Sequence, residues 1–477
     1  MKDFTLAEIA KACNGEYVGD ESLKNTKITS VERDSRQVKN GSLFLAIKGE
    51  RVDGHDFIEK CFAQGAVCAL CEKAPENATK PCIVVPSTLD AVKKIGRAYR
   101  EKFDIPVIGI SGSVGKTSTK EMLYAVLSQK FKTHKTQGNL NNELGVPLTL
   151  LSMPEDTEAA VIEMGISDFG EMTRLSEMVQ PTICVLTIIG ECHLENLGDR
   201  DGVLKAKTEM FKNARKNADF ILNGDDDKLS TVKTVNGKKP VFFGLDAKND
   251  FYAKNIKNSG DGKVLATLCF DNNDIDVEIP AIGTYMVTNA LAAAAAGKLL
   301  GLTDEEIANG VASYKTVGSR ANVIDTGKIK IIDDCYNANP TSVRASLDTL
   351  SNLDGRKVAI LGDMKELGSE ELKLHFDTGV YAKSKDIGTV ITVGELAKEL
   401  AKGADKVVAI EIDTRLIPVL DETMGEFDNF KVINADIMKT DLSALIKSEF
   451  QGMKTAVCAN LPYYICLLYT SPSPRDS

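Results

Sequence analysis

The stretch IPVIGISGSVGKTSTKE, residues 105–121, predicts a strand, a glycine-containing turn and the start of a helix in immediate succession. Gly112 and Gly115 let the backbone N–H groups of the turn point inward, where the helix dipole also favours an anion. Lys116 would reach the outer phosphates of a nucleotide, and the Thr117 hydroxyl would ligate Mg²⁺. An ordinary strand-to-helix turn does not explain a Lys and a Thr at these two positions.

The candidate phosphate-binding residues are Gly112, Ser113, Val114, Gly115, Lys116, Thr117 and Ser118. Ile110 stands where the longer form of this motif has Gly or Ala, which leaves the shorter pattern G-x-x-G-K-T. Short apolar runs then recur between helical patterns over residues 160–243. This alternation predicts an α/β fold with a mostly parallel sheet that binds ligands at the carboxyl ends of its strands.

Composition and length set the class of protein. The chain has 477 residues, 43% of them hydrophobic and 26% charged, as in a soluble globular protein with about three domains. No apolar run approaches the ~20 residues of a membrane span, and the N-terminus lacks the pattern of a secretory signal, so we expect a cytoplasmic protein with no membrane partner. A net charge of −10 argues against a nucleic-acid partner. The C-x-x-C formed by Cys68 and Cys71 lies in an apolar run, which favours a buried strand over a metal or redox site.

Three domains and two further segments are predicted. Residues 1–85 form a small α/β unit, in which Ser35 and Arg36 belong to a polar loop that either binds a ligand or is merely solvated. Residues 86–314 form the central phosphate-loop domain, and residues 315–403 form a third α/β domain. Residues 404–465 and 466–477 differ in character from everything before them.

Polar side chains follow two neighbouring strands of the predicted central sheet. Glu163 closes one strand and His193 follows the next, so that together they could hold a second metal ion, although either residue alone is more often structural. Between them, an asparagine-rich segment that includes Asn142 favours turns and amide contacts to a ligand. Lys207 lies on a helical stretch whose pattern alone indicates a solvated face.

Seven motifs, in order along residues 1 to about 403, resemble those of the Mur ligase family. They are DSRQVKNGSLFLAIKGERVDGHDFI (34–58), GSVGKTSTK (112–120), TQGNLNNELGVPLTLL (136–151), IEMG (162–165), GECHLENLGDRDGVLKAKTEMF (190–211), DDCYNANPTS (333–342) and LGDMKELG (361–368). Tyr285 and Ile188 depart from the residues most common in the family, which are His and Asn. The resemblance implies a three-domain architecture with a central P-loop parallel-sheet ATPase domain and a Rossmann-like C-terminal domain.

The resemblance also implies an activity. It points to an ATP-dependent amide ligase, using ATP and Mg²⁺, that adds D-Ala-D-Ala to UDP-N-acetylmuramoyl-tripeptide through an acyl phosphate. Such an enzyme serves peptidoglycan synthesis, and thus cell shape and division, and is expected to act as a monomer. Another ligase of the superfamily, of the folylpolyglutamate type, remains an alternative.

The same resemblance implies roles for individual residues, carried over motif by motif. Ser35 and Arg36 would lie near the UDP moiety, Asn142 near the muramoyl peptide, Asn289 on adenine, and Arg320 and Asp334 on the nucleotide from the C-terminal domain. Thr117, Glu163, His193 and a carbamylated Lys207 would serve Mg²⁺, and Lys116, Glu163, His193 and Lys207 would form the catalytic set.

After about residue 403 the resemblance changes. Residues 404–465, which end in NLPYYI, resemble a fragment of an rRNA adenine dimethyltransferase, but the glycine-rich loop that should precede such a fragment is absent. Residues 466–477, CLLYTSPSPRDS, look like translated sequencing adapter. We therefore expect a chimera with a truncated third domain whose parallel sheet exposes an edge, unless the strand-like run 407–412 substitutes for a missing strand. A genuine fusion with a methyltransferase role is the alternative.

Overall fold

The structure is a computed structural model of the chain. It describes residues 1–460 except 50–51, 260–261, 272, 328, 388, 404–406, 412–413, 415–416, 419–429, 436–439, 442–443 and 445–454. The expected adapter-derived tail and most of the NLPYYI motif therefore lie outside the described residues. Among the helices that are described, none combines the length and apolar character needed to cross a bilayer.

The N-terminal unit is a five-stranded sheet with short helices. Its elements are α1 (Leu6–Cys13), β1 (Glu16–Val18), β2 (Ser30–Glu32), β3 (Ser42–Leu45), α2 (Ile58–Ala63), β4 (Cys68–Cys71) and β5 (Cys82–Val84). The strand order is β1-β5-β4-β3-β2, with only β1 antiparallel to its neighbour. Helix α1 begins at Thr5 because its side chain and that of Glu8 satisfy each other's backbone N–H groups. Cys68 and Cys71 are buried free thiols in β4, as the apolar run predicted.

Helix α3 (Thr88–Arg100) joins the N-terminal unit to the central domain. The buried Tyr99 hydroxyl accepts a hydrogen bond from Lys2 N (2.7 Å) and donates one to Met153 O (2.9 Å), so that it ties both domains together. One apolar core runs continuously from Phe4 of the N-terminal unit to Leu186 of the central sheet. Helix α3 therefore both joins the two domains and contributes to their shared core.

The central domain contains the predicted parallel sheet. Its elements are β6 (Val107–Ser111), α4 (Lys116–Leu127), β7 (Thr133–Lys135), α5 (Gly145–Leu151), β8 (Ala159–Glu163), α6 (Glu171–Val179), β9 (Ile183–Leu186), α7 (Leu194–Leu197), α8 (Arg200–Thr208), β10 (Asp219–Asn223), β11 (Val241–Phe243), β12 (Tyr252–Asn258), β13 (Val264–Phe270), β14 (Asn273–Ile279), α9 (Tyr285–Leu299) and α10 (Asp304–Ala312). The main sheet has the order β11-β10-β9-β6-β8-β7 and is parallel throughout. Strands β12 to β14 form a separate antiparallel sheet. The phosphate-binding loop therefore follows a strand inside the sheet, with its neighbours β8 and β9 ending beside it.

The C-terminal domain is a seven-stranded sheet in which the last described strand takes an interior place. Its elements are β15 (Asn322–Asp325), β16 (Ile329–Asp333), α11 (Pro340–Ser351), β17 (Arg356–Gly362), α12 (Glu371–Ser384), β18 (Thr389–Val393), α13 (Lys398–Gly403), β19 (Val407–Glu411), β20 (Phe430–Asn434) and β21 (Thr455–Asn460). The order is β15-β16-β21-β17-β18-β19-β20. Strand β21 lies between β16 and β17 and pairs in parallel with both, so the described sheet has no gap at that place. Residues 407–411 of the strand-like run form β19, which pairs with β18, and residue 412 lies outside the described residues.

Candidate active site

The phosphate-binding loop between β6 and α4 has the backbone that its glycines predict. Gly112 (φ +151°) and Gly115 (φ +82°) both lie in the region that favours glycine, and a Cβ atom on Gly112 would fall 1.9 Å from Thr187 Oγ1. Lys116 Nζ donates to the loop carbonyls of Gly112 (2.8 Å) and Ser113 (3.3 Å). Burial lowers the pKa of Lys116. The loop thus holds a partly buried amine at its centre, where a phosphate-binding loop has its lysine.

A cavity of about 480 Å³ opens beside this loop, between the central and C-terminal domains. The predicted site residues that line it are Ser113, Val114, Gly115, Lys116, Thr117, Ser118, Asn142, Glu163, His193, Asn289, Arg320 and Asp334. Gly112 lies in the loop behind the lining, and Lys207 is buried close enough for the charge of Lys116 to affect its pKa. The structure therefore brings together residues from five of the seven motifs, with Asn289 and Arg320, which lie outside those motifs.

Glu163 is the centre of a buried polar cluster. Its carboxylate accepts hydrogen bonds from Thr117 Oγ1 (3.0 Å) and Asn141 Nδ2 (2.8 Å), and Lys120 Nζ lies 3.6 Å from its Oε2 atom. Asn141 and Lys120 were not predicted as site residues, although both belong to motifs quoted from the sequence. The oxygen atoms of the Thr117 hydroxyl and the Glu163 carboxylate, both possible metal ligands, therefore lie next to each other at the cavity wall.

His193 lies at the start of α7 with a left-handed backbone (φ +52°). Its Nδ1 atom makes an ion-pair contact with Oε2 of Glu366, a residue of the C-terminal domain. This Nδ1 atom is buried and, among the described residues, makes no hydrogen bond of ordinary geometry, so the Glu366 carboxylate is the polar group against it. The contact lowers the pKa of Glu366. Within the described part of the chain, no three His, Cys, Asp or Glu side chains converge as a ready-made metal cage.

Lys207 on α8 is buried, with 1% of its side-chain surface exposed. The pattern-based expectation of a solvated helix face is therefore wrong for this residue, whereas its neighbour Lys205 is exposed. Burial is the main reason that the pKa of Lys207 is lowered to about 8, and the nearby charge of Lys116 acts in the same direction. Among the described residues, no carboxylate lies within ion-pair distance of its Nζ atom. The charge pattern could not predict this burial, because Lys207 lies on the buried side of α8 with Val203 and Ala206.

The residues assigned to the nucleotide are held by specific contacts. Asn289 Oδ1 accepts a hydrogen bond from Thr119 Oγ1 (2.9 Å), which joins α9 to the helix of the phosphate loop. The Arg320 guanidinium lies 3.8 Å from the centre of the Tyr336 ring, a cation–π contact that fixes its position. Asp334 accepts a hydrogen bond from Ala321 N (3.1 Å), and burial raises its pKa to about 6. Arg320 and Asp334 therefore face the phosphate loop from a preorganised C-terminal wall.

The residues assigned to substrate divide between two places. Ser35, with Arg33 and Asp34, lines a second cavity of about 420 Å³ at the junction of the N-terminal unit and the central domain. Arg36 is not part of that lining, and its guanidinium instead pairs with Asp34 at a highly exposed position. Asn142 lines the main cavity, but its Oδ1 atom also accepts hydrogen bonds from the N–H groups of Leu144 and Gly145. Its side chain thus fixes the turn that leads into α5.

A glycine loop after a parallel strand, set in a cleft between two α/β domains, defines a P-loop nucleotide-binding enzyme. Comparison with protein families matches residues 27–101 to the Mur ligase family catalytic domain, 110–297 to the Mur ligase middle domain and 319–426 to the Mur ligase glutamate ligase domain. The chain belongs to the Mur ligase family.

Relatives with long alignments carry one name. The UDP-N-acetylmuramoyl-tripeptide–D-alanyl-D-alanine ligase of Bacillus subtilis is 37% identical over 409 residues, which cover 84% of this chain and 88% of the relative. The crystal structure of MurF from Acinetobacter baumannii is 30% identical, with a TM-score of 0.85 over 98% of this chain and 99% of that one. The MurF ligase of Thermotoga maritima, solved in complex with ADP, is 27% identical, with a TM-score of 0.76 over 92% and 96%.

The C-terminal region matches a second family. Residues 387–469 match ribosomal RNA adenine dimethylase, a range that overlaps the glutamate ligase domain match over residues 387–426. The resemblance to two families in one chain is thereby confirmed, and the join expected near residue 403 falls inside the overlap.

Proposed function

We propose that this chain is an ATP-dependent ligase that joins D-Ala-D-Ala to UDP-N-acetylmuramoyl-tripeptide in peptidoglycan precursor synthesis. The observation that carries the proposal is the cavity between two domains, with the phosphate loop on one wall and Arg320 and Asp334 on the other. The names of the relatives support the choice of substrates. The protein acts in the cytoplasm as a monomer, and neither a membrane nor a nucleic acid is its partner.

The reaction must activate an unreactive carboxylate. A carboxylate oxygen of the tripeptide attacks the γ-phosphorus of ATP, and ADP leaves with the electron pair of the broken P–O bond. Lys116 lies at the centre of the loop, where its ammonium can neutralise charge on the transferring phosphoryl group. The amine of D-Ala-D-Ala then attacks the acyl phosphate, loses a proton and expels inorganic phosphate. Closure of the C-terminal wall excludes water, which would otherwise hydrolyse the intermediate.

The residues present fit Mg²⁺. Thr117 and Glu163 offer oxygen donors 3.0 Å apart at the cavity wall, and oxygen ligands are what this cation prefers. His193 would serve a second ion from the same wall. When bound, Mg²⁺ neutralises phosphate charge. Glu163 is held for this role by Asn141 and stays buried, so its position does not depend on solvent.

Lys207 fits the site only in a modified form. A buried ammonium would repel a cation, whereas the carbamate formed from its amine and CO₂ is an anion that can stabilise one. A pKa near 8 leaves a substantial fraction of the amine neutral and nucleophilic at cellular pH. We include the carbamate of Lys207 in the proposed catalytic set, with Lys116, Glu163 and His193.

The smaller cavity beside Ser35 is proposed for the UDP end of the nucleotide substrate. It lies at the junction of the N-terminal unit and the central domain, because Leu144 of the central domain contributes to its wall. Arg36 would have to leave Asp34 to reach a diphosphate there.

The proposed domains are 1–85, 86–314 and a truncated 315–403, followed by a methyltransferase-like fragment at 404–465 and a non-native tail at 466–477. The pairing of β21 with β16 and β17 supports a fragment that completes the ligase sheet without adding an activity. An uninterrupted genomic read across codons 395–410 tests this division.

Acceptor choice tests the proposed reaction. Phosphate release from ATP by the full chain should require both UDP-muramoyl-tripeptide and D-Ala-D-Ala. Release with a folate and L-glutamate in their place would favour the folylpolyglutamate-type alternative. Binding of S-adenosylmethionine would favour the fusion alternative.

A further inference from the structure

His193 and Glu366 form a pair that spans two domains. The histidine comes from the loop after β9 and the glutamate from the loop after β17, and the contact joins His193 Nδ1 to Glu366 Oε2. The His193 side chain is 23% exposed and lines the main cavity, whereas the Glu366 side chain is 55% exposed. A ring nitrogen that faces a carboxylate leaves only the other nitrogen, Nε2, to meet a ligand. The contact therefore determines which nitrogen of the imidazole is available to a ligand in the cavity.

Both partners are held in an unusual backbone conformation. His193 has φ +52° and Glu366 has φ +62°, and neither is a glycine. Such conformations persist where the surrounding structure fixes them. A backbone hydrogen bond from Glu195 N to Glu366 O (3.4 Å) joins the same two loops. The backbone therefore holds the two loops side by side, which keeps His193 and Glu366 within reach of each other.

The same loop makes a second contact to the C-terminal domain. Thr341 Oγ1 donates to Glu191 Oε2 (2.8 Å), two residues before His193. Toward the other side, Gly190 N donates to Ser113 Oγ of the phosphate loop (2.9 Å). Residues 190–195 therefore touch both the phosphate loop and the C-terminal domain. Glu191 offers a matched control, because it is also a glutamate in an interdomain contact but makes no contact with the imidazole.

We propose that Glu366 is a positioning residue that orients the His193 imidazole toward a divalent cation, so that docking of the C-terminal domain completes the metal site. The inference rests on the proposed function, because it presupposes a cation beside His193. Carboxylates that bind the second nitrogen of a metal-ligating histidine fix its tautomer and orientation, and their loss typically weakens metal affinity about 10- to 100-fold. Here the carboxylate would come from a different domain than the histidine.

A Mn²⁺ titration of the full chain in saturating ADP tests the proposal. The electron paramagnetic resonance signal of free Mn²⁺ measures how much of the ion is bound. His193→Gln identifies the site that depends on the imidazole. Glu366→Ala should weaken that same site about 10- to 100-fold, and Glu366→Gln, which has nearly the same shape, should also weaken it. Glu191→Ala and Glu191→Gln should leave it within about twofold of the unchanged chain. Circular dichroism of each variant checks the fold.

Three results would overturn the inference. Equal weakening by the Glu191 and Glu366 variants would mean that loss of any interdomain contact is enough. If Glu366→Ala binds Mn²⁺ as tightly as the unchanged chain while His193→Gln still loses a site, Glu366 does not position the imidazole, and the proposed function stands. Unchanged Mn²⁺ affinity in His193→Gln would show that His193 does not bind the metal, which the proposal presupposes.

In steady-state assays, Glu366→Ala should raise the Mg²⁺ concentration for half-maximal rate more than it lowers kcat.

Discussion

Carbamylation of Lys207 can be predicted quantitatively from its burial. CO₂ reacts with the neutral amine, and burial lowers the pKa of this lysine from its ordinary 10.5 to about 8. At pH 7.5 the neutral fraction is then about one quarter, compared with about one thousandth for a lysine in water, a gain of roughly 200-fold. Because the amine loses its proton as pH rises through 8, carbamate at a fixed CO₂ pressure should increase over that range.

Carbon-13 NMR with labelled CO₂ measures this directly. The unchanged chain should show a carbamate signal that grows between pH 6.5 and 8.5, and Lys207→Met should lack it. Lys205→Met is the matched control, since Lys205 lies on the same helix but is exposed. Its signal should equal that of the unchanged chain. Absence of a carbamate at pH 8.5, or its equal loss in both variants, would refute the reasoning from burial.

Three further outcomes are expected. Lys116→Ala should lower phosphate release at least about 100-fold, since one preorganised charge is lost, while calorimetry shows unchanged binding of the UDP substrate. Val457→Pro removes an N–H group from a strand that is paired on both sides, so it should lower the free energy of unfolding in urea by about 3 kcal/mol or more. Val457→Thr keeps that N–H group and should not cause a loss of this size. In the folded protein the pKa of Asp334 is raised from 3.8 to about 6, so the folded state binds more protons than the unfolded state between these pH values. The stability of the unchanged chain should therefore fall as pH rises across that range, and Asp334→Asn should make the dependence of Tm on pH less steep. Equal pH slopes for Asp334→Asn and wild type would contradict the Asp334 assignment.

The central domain could be predicted from the sequence because its signals are local. The β-branched run before the turn, the two glycines and the Lys-Thr pair each specify one element, and β6, the loop and α4 follow in that order. The placement of Glu163 at the end of β8 followed from the same alternation, because the ends of parallel strands meet at one edge of the sheet.

Other parts depend on contacts far apart in the chain, which patterns do not encode. The burial of Lys207 arises from packing around α8, so a helical charge pattern pointed to solvent. Glu366 meets His193 across a domain boundary and a separation of 173 positions in the printed sequence. Arg36 shows that neighbours in sequence can face different surroundings, since Ser35 lines the smaller cavity and Arg36 does not.

The C-terminal sheet shows how strand identity and strand position can separate. Strand β21 lies in the range that matches only ribosomal RNA adenine dimethylase, yet it pairs with β16 over five residues and with β17 over six. Main-chain pairing requires only an extended segment of suitable length, and the register follows from its neighbours. A strand from a segment that resembles a second family can therefore take an interior place in this sheet.

Oxygen transfer from substrate to phosphate tests the central claim most directly. The tripeptide carboxylate is labelled with oxygen-18, and the full chain is given ATP and D-Ala-D-Ala. If the carboxylate attacks the γ-phosphorus, each released phosphate carries one labelled oxygen, as read by mass spectrometry. Phosphate released without the label, or no release at all, would contradict activation through an acyl phosphate.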